Sequence, residues 1–106
     1  MTMKTQARLK TRARIIKALA HPTRLFIVDT LSRGERCVCE LTEMVDADPS
    51  TVSKHLALLK SAGIVHDDKR GSQVYYTLKA PCVLDFLSCI EAVVKANLAE
   101  QIDLAK

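Results

Sequence analysis

Residues 38–59 read VCELTEMVDADPSTVSKHLALL, and the parsing of this stretch decides the fold. Asp48 and Pro49 divide it. An aspartate followed by a proline marks a helix start, because the carboxylate caps free N–H groups and proline suits a first turn. From there Val52, Leu56 and Leu59 recur at helical spacing, with Ser50, Thr51, Ser53, Lys54 and His55 between them. The spacing predicts a helix over residues 49–62 that docks by one face and leaves a polar edge free. Ahead of it, Leu41, Met44 and Val45 predict a shorter helix over residues 39–45, with all three side chains inward. Two short helices joined by a tight turn are the pattern of a helix-turn-helix.

Working outward, residues 64–66 and 73–78 read as two strands around the polar turn DDKRGS (67–72), which contains a glycine. Lys69 and Arg70 fall at this expected hairpin tip. Pro81 opens a last long helix to about residue 104. Upstream, residues 5–20 read as a first helix. Pro22 and Gly34 bracket a second, whose Leu25, Ile27, Val28 and Leu31 are assigned to the core. The order is α-α-α-α-β-β-α, mainly α with a β-hairpin: a winged helix-turn-helix, with residues 1–106 forming a single domain.

A 106-residue chain can bury only a small core, so dimerisation would help it. It has no Trp, two Tyr and two Phe, which makes that core aliphatic. No apolar run is long enough for a membrane span, and ALAHPTRL (18–25) is too interrupted for a signal-peptide core. The expected location is therefore the cytoplasm, where cysteines are held as thiols rather than structural disulfides. No Cys-x-x-Cys, no histidine beside a cysteine and no Gly-rich phosphate loop points to an enzyme.

Charge is unevenly spread. Residues 1–36 hold nine Lys/Arg against two acids, a net +7, and residues 37–106 hold seven against ten, a net −3. A basic N-terminal third fits a polyanionic partner such as DNA. A recognition helix presents small or polar residues at its N-terminus, which enters the major groove first. Ser50, Thr51, Ser53, Lys54 and His55 meet that requirement, and Lys69 and Arg70 put two cations on the wing. An ordinary amphipathic surface helix would share part of this pattern.

Cys37 and Cys39 sit where the 39–45 helix begins. Core packing, a disulfide, a redox pair and metal ligation are all readings of such a pair. Within a regular helix, residues i and i+2 point about 200° apart and would not share a ligand. At a helix start the first is still extended while the second enters the first turn, so both sulfurs can converge. The helix N-terminus also favours thiolates. A disulfide closed across one residue is expected to be strained.

ALAHPTRLFIVDTL (18–31), CVCEL (37–41), DPSTVSKHLALLKSAGIV (48–65) and GSQVYYTL (71–78) occur in order and at close spacing. Together they resemble the ArsR/SmtB family of metal-responsive bacterial repressors, over roughly residues 13–95. The resemblance implies a homodimer joined through the first and last helices, a palindromic double-stranded operator, and release of DNA when an effector binds. It also implies that Cys37 and Cys39 are metal ligands, because they match the CVC of the arsenic-, antimony-, cadmium- and lead-responsive types. Thr42 stands where the arsenic type has a third cysteine, and residues 1–36 lack the cysteines of the cadmium/lead type.

Soft thiolates select thiophilic ions. The expected effector is As(III), with Sb(III), Cd(II) or Pb(II) as related choices and no organic cofactor. Zinc-responsive relatives use His and carboxylate pairs on the last helix, whereas here the last histidine, His66, precedes it. His21 reads as a helix-start residue. Cys82 and Cys89, seven residues apart on the expected last helix, are separated by a rise of about 10.5 Å, too far for one ion. They are assigned to dimer packing. An alternative is a thiol-redox or sulfide-sensing repressor that pairs Cys37 or Cys39 with Cys82 or Cys89.

Overall fold

Local capping chemistry sets where the helices begin and end. The computed structural model describes residues 1–104. Along them run α1 (Met3–Leu19), α2 (Pro22–Leu31), β1 (Arg36–Cys37), α3 (Val38–Val45), α4 (Pro49–Ser61), β2 (Val65–Arg70), β3 (Gln73–Leu78) and α5 (Val83–Leu104). His21 caps α2, its Nδ1 accepting the Thr23 N–H at 3.0 Å. Asp48 caps α4 by accepting the Thr51 N–H at 2.7 Å. Pro22 and Pro49 occupy the first helical positions, where no backbone donor is needed.

The end of α4 is equally defined. Gly63, at φ +80°, donates to the Lys60 carbonyl and Ile64 donates to Leu59, both at 3.0 Å. This is a Schellman motif, and its usual apolar contact is available because Leu59 and Ile64 are both buried. The chain then enters β2 already aimed back along the core.

Three strands form the sheet, in the order β1-β3-β2, all antiparallel. The register from Val65↔Leu78 to Arg70↔Gln73 leaves Gly71 and Ser72 as a two-residue loop. Gly71 supplies the positive φ, +62°, that a type II′ hairpin needs at its first loop position. Ile27, Val28, Leu31, Leu41, Val52, Leu56, Leu59, Ile64 and Val65 fill the core between the helices and the sheet.

Several expectations require correction. β1 was not anticipated, because two residues carry no period of their own and are strand only by pairing with Tyr75 and Tyr76. The polar run 67–70 is strand rather than turn, so Lys69 and Arg70 lie in β2. A hairpin that faces solvent on one side tolerates that polarity. The last helix starts at Val83, and Cys82 sits in the turn before it. Leu25 and Met44 are exposed rather than in the core.

No residue of α5 is buried. Phe86, Ile90, Val94 and Leu98 are 40–55% exposed along one line of the helix, and Leu9, Ile15 and Ile16 of α1 are exposed as well.

A residue with a Cβ at Gly63 would have to adopt a left-handed conformation, although the added carbon would meet nothing within 4 Å. Gly63→Ala is therefore expected to destabilise the fold by about 1–2 kcal/mol through backbone strain alone. Urea unfolding would register this as a lower midpoint at unchanged m-value.

Candidate functional site

Val52, Leu56 and Leu59 fasten α4 to the core with no exposure at all, so the opposite edge must face outward. Ser50, Thr51, Ser53 and Lys54 are exposed there. Two of them also build the helix start, since the Ser50 hydroxyl donates to Asp48 at 2.9 Å and the Thr51 N–H donates to the same oxygen. The Thr51 N–H, first among these bonds, holds the Asp48 carboxyl below the usual carboxylate range. The Ser50–Thr51 start of the polar edge is thus held by the cap, with Ser53 and Lys54 exposed beyond it.

His55 departs from the expected DNA-facing set. Its ring turns toward α2, 4.5 Å from the His21 ring, and its Nδ1 lies 3.2 Å from Nη1 of Arg24. A guanidinium can only donate, so His55 accepts there and carries its proton on Nε2. Arg24 also donates to the Ala18 carbonyl at 2.7 Å, satisfying an acceptor at the end of α1. His55 is therefore the back of the recognition helix, tied to α1 and α2. Helical spacing alone could have placed it, because Val52, His55, Leu56 and Leu59 share one face.

The wing cations also differ from one another. Lys69 is exposed, whereas Arg70 is held by Glu35 and Asp68 and lies over Tyr75. Lys60 of α4 bonds Asp67 of β2 at 2.9 Å and so links the recognition helix to the wing. Sequence reasoning missed both links, which join different elements, Arg70 to Glu35 across 35 residues and Lys60 to Asp67 across seven.

Cys37 and Cys39 are brought together. Their sulfurs are bonded, with Cα atoms 5.3 Å apart. The backbone brings the two sulfurs within reach. Cys37 is extended (φ −79°, ψ 160°) and Cys39 lies in the first turn of α3, so the chain turns between them. That Cα separation falls within the roughly 4.4–6.8 Å of ordinary disulfides.

Cys37 is also the N-cap of α3. Its Sγ accepts the Glu40 N–H at 3.3 Å, while Oε1 of Glu40 accepts the Cys37 N–H at 3.1 Å, a reciprocal capping box. Cys37 is 4% exposed, but Cys39 is open to solvent.

Cys39 borders a cleft of ≈ 540 Å³ between α3, the start of α4 and the wing, shared with Thr42, Ser53 and Gln73. The Thr42 hydroxyl donates to the Val38 carbonyl at 2.7 Å. Among the described residues no three His, Cys, Asp or Glu side chains cluster as a metal site, so the protein offers two soft donors. Reduced, these two would be soft thiolate donors of the kind thiophilic ions prefer. Cys82 and Cys89 are exposed thiols, and Cys82 borders a different, apolar groove between α1 and α5.

Residues 21–67 match the family described as bacterial regulatory protein, arsR family. The structure resembles the solution structure of the homodimeric winged helix-turn-helix DNA-binding domain Mb0332 from Mycobacterium bovis. The TM-score is 0.79 at 31% identity, over 94% of this chain and 93% of that one. The chain belongs to the ArsR family. Its fold and family are those of DNA-binding transcriptional regulators, not of enzymes.

Over 86 residues it is 40% identical to the arsenic resistance transcriptional regulator ArsR1 of Pseudomonas putida, covering 78% of this chain and 66% of that protein. Over 67 residues it is 43% identical to the cadmium resistance transcriptional regulatory protein CadC homolog of Staphylococcus aureus, covering 62% and 55%. The chain thus spans about half to two thirds of the length of these curated relatives. Among the described residues no helix is long and apolar enough to cross a membrane.

The His55 environment has a pH consequence. Burial first, then His21 and Arg24, push its pKa below the ordinary 6.5. The unfolded chain therefore takes up this proton at a higher pH than the folded one does. The contribution to stability is complete above about pH 6.5 and declines as pH falls from there toward the folded-state value. Urea midpoints measured between about pH 7.5 and pH 5 are expected to fall in wild type and to fall less in His55→Gln.

Proposed function

We propose that this protein is a cytoplasmic homodimeric repressor that leaves its double-stranded operator when a thiophilic ion, As(III) foremost, binds Cys37 and Cys39. The observation that carries this reading is the meeting of the two cysteines at the start of α3, where Cys39 borders a cleft that Ser53 of α4 also lines. That cadmium and arsenic regulators are among its relatives supports the same effector class, and Sb(III) and Pb(II) share the thiolate preference.

On the DNA side, Ser50, Thr51, Ser53 and Lys54 face the major groove, with Lys69 reaching the backbone from the wing. The exposed apolar line on α5, with Ile15 and Ile16 of α1, is the surface a second copy would cover, and the dimeric mycobacterial relative fits that use. Two recognition helices would then address half-sites about 34–36 Å apart or a near multiple.

The coupling follows from packing. An ion held by both sulfurs changes the geometry of the α3 cap. α3 packs on α4, with Leu41 in one core with Val52 and Leu56. Displacement of the cap is then felt at the Ser50–Lys54 edge. Coupling of this type is typically about 1–3 kcal/mol, or 5- to 150-fold, and is reciprocal between ion and DNA.

A second reading is favoured by one observation, the bond between Cys37 and Cys39. A thiol-redox or sulfide-sensing repressor would use the opening and closing of this pair. Pairing of either with Cys82 or Cys89 has less support, since Cys37 and Cys39 are bonded to each other and Cys82 borders a different groove.

Three measurements test the proposal. Cys37→Ser and Cys39→Ser are each expected to bind operator DNA and lose the As(III) response, read by fluorescence anisotropy with reduced protein, while Cys82→Ser and Cys89→Ser respond normally. The site is misplaced if the last two variants lose the response and Cys37→Ser keeps it. Lys54→Ala is expected to lower the log–log salt slope of operator binding by about 0.9. Sedimentation is expected to show a dimer at micromolar concentration, and a stable monomer would remove the assigned interface.

A further inference from the structure

Arg70 is expected at the wing tip, free to meet DNA, but its guanidinium is already engaged on three sides. Nη1 and Nη2 donate to the two carboxylate oxygens of Glu35 at 2.8 and 2.6 Å. Nε donates to Asp68 at 2.9 Å, and the plane lies over the Tyr75 ring, 4.5 Å from its centroid. An isolated surface ion pair contributes little, but a bidentate fork backed by a second carboxylate and an aromatic face is a specific geometry.

The elements it joins give the clamp its meaning. Glu35 immediately precedes β1 and stands two residues before Cys37. Cys37 pairs with Tyr75 in the β1–β3 ladder, so the strand that carries the sensing cysteine runs beside the ring under Arg70. Arg70 closes β2 at the hairpin loop, opposite Gln73. The far end of the wing is therefore tied to the Cys37 strand by the ladder and by the Glu35–Arg70 fork. Cys37 is the joint between that strand and α3.

We propose that Arg70 is a positioning residue that clamps the wing to the Glu35–Cys37 strand, so that a change at the Cys37–Cys39 pair moves the wing as well as the recognition helix. This gives the sensing motif a second route to DNA, independent of the packing of α3 on α4. The inference rests on the reading of Cys37 and Cys39 as the sensing pair. It assigns Glu35 and Arg70 a role in coupling rather than in contact with phosphate.

The test compares wild type with Glu35→Gln, which removes the acceptor charge, and Arg70→Lys, which keeps the cation but loses the fork. Amide hydrogen exchange over residues 67–76 reads the wing. Arsenite alone, added to reduced protein, is the probe, with binding followed by thiolate-to-ion absorption. Operator affinity is measured across a salt series.

In wild type, arsenite is expected to change wing exchange and weaken operator binding. In both variants arsenite is expected to bind at the same stoichiometry but leave wing exchange unaltered. The drop in operator affinity is expected to shrink to about a third or less of the wild-type factor. Arg70→Lys is expected to keep the salt slope. Variants that pass on the full wild-type change in exchange and affinity would overturn the clamp.

Should arsenite fail to bind wild type, the ion-sensing reading fails and a second arm judges the clamp. Opening the Cys37–Cys39 bond with a dithiol reductant acts on the same joint. A change in wing exchange on reduction in wild type, absent in Glu35→Gln, supports the clamp. A wing indifferent to reduction in wild type overturns it.

Discussion

One face of α4 organises the molecule. Val52, Leu56 and Leu59 are removed from solvent completely, and burial of each such side chain is worth about 1.5–3 kcal/mol as an upper figure. Because these three occupy one stripe, the helix has little rotational freedom, and its polar edge takes a fixed direction. Both ends are fixed as well, by the Asp48 cap and by the Gly63–Ile64 turn. The neighbouring elements use the same helix as their reference. Leu41 of α3 shares its core, Asp67 of the wing holds Lys60, and Arg24 of α2 holds His55. All three neighbours are therefore joined to the helix that carries the Ser50–Lys54 edge.

Cys37 concentrates unusual duties in one residue. It pairs with Tyr75 in the sheet, caps α3 through its sulfur and is bonded to Cys39. Capping alone calls for an oxygen, and serine, threonine or aspartate perform it well. A sulfur at this position brings redox and soft-metal chemistry that the cap does not need. Chemistry at the sulfur is then also a change in the helix start, and helix starts tolerate little rearrangement because their N–H groups need acceptors. The Cys37 sulfur is thus itself part of the secondary structure.

The remaining surface follows from size. A chain of 106 residues buries only a small core; α5 meets it through the partly buried Val83, Leu84 and Leu87, and the apolar line beyond them stays exposed. The cationic N-terminal helix lies alongside, with Arg12, Ile15 and Ile16 bordering the groove that also meets Cys82 and Phe86.

Local chemistry was legible in the residues themselves. The Asp48–Pro49 and His21–Pro22 starts, the Gly63 stop, the apolar stripe of α4 and the helix-turn-helix with a hairpin all follow from rules that act within a few residues. So does the convergence of Cys37 and Cys39, which needs only a helix to begin between them. Tertiary structure decided what depends on partners far along the chain. Arg36 and Cys37 are a strand only because Tyr75 and Tyr76 lie opposite, and Lys69 and Arg70 leave the turn only because the register carries β2 to its end. His55 turns to Arg24, and Arg70 to Glu35, across separations of 31 and 35 residues. Pattern and propensity describe what a segment does with its own neighbours. A hydrogen bond, an ion pair or a ladder between distant segments forms only once the core has brought them together, so these contacts emerge with the fold.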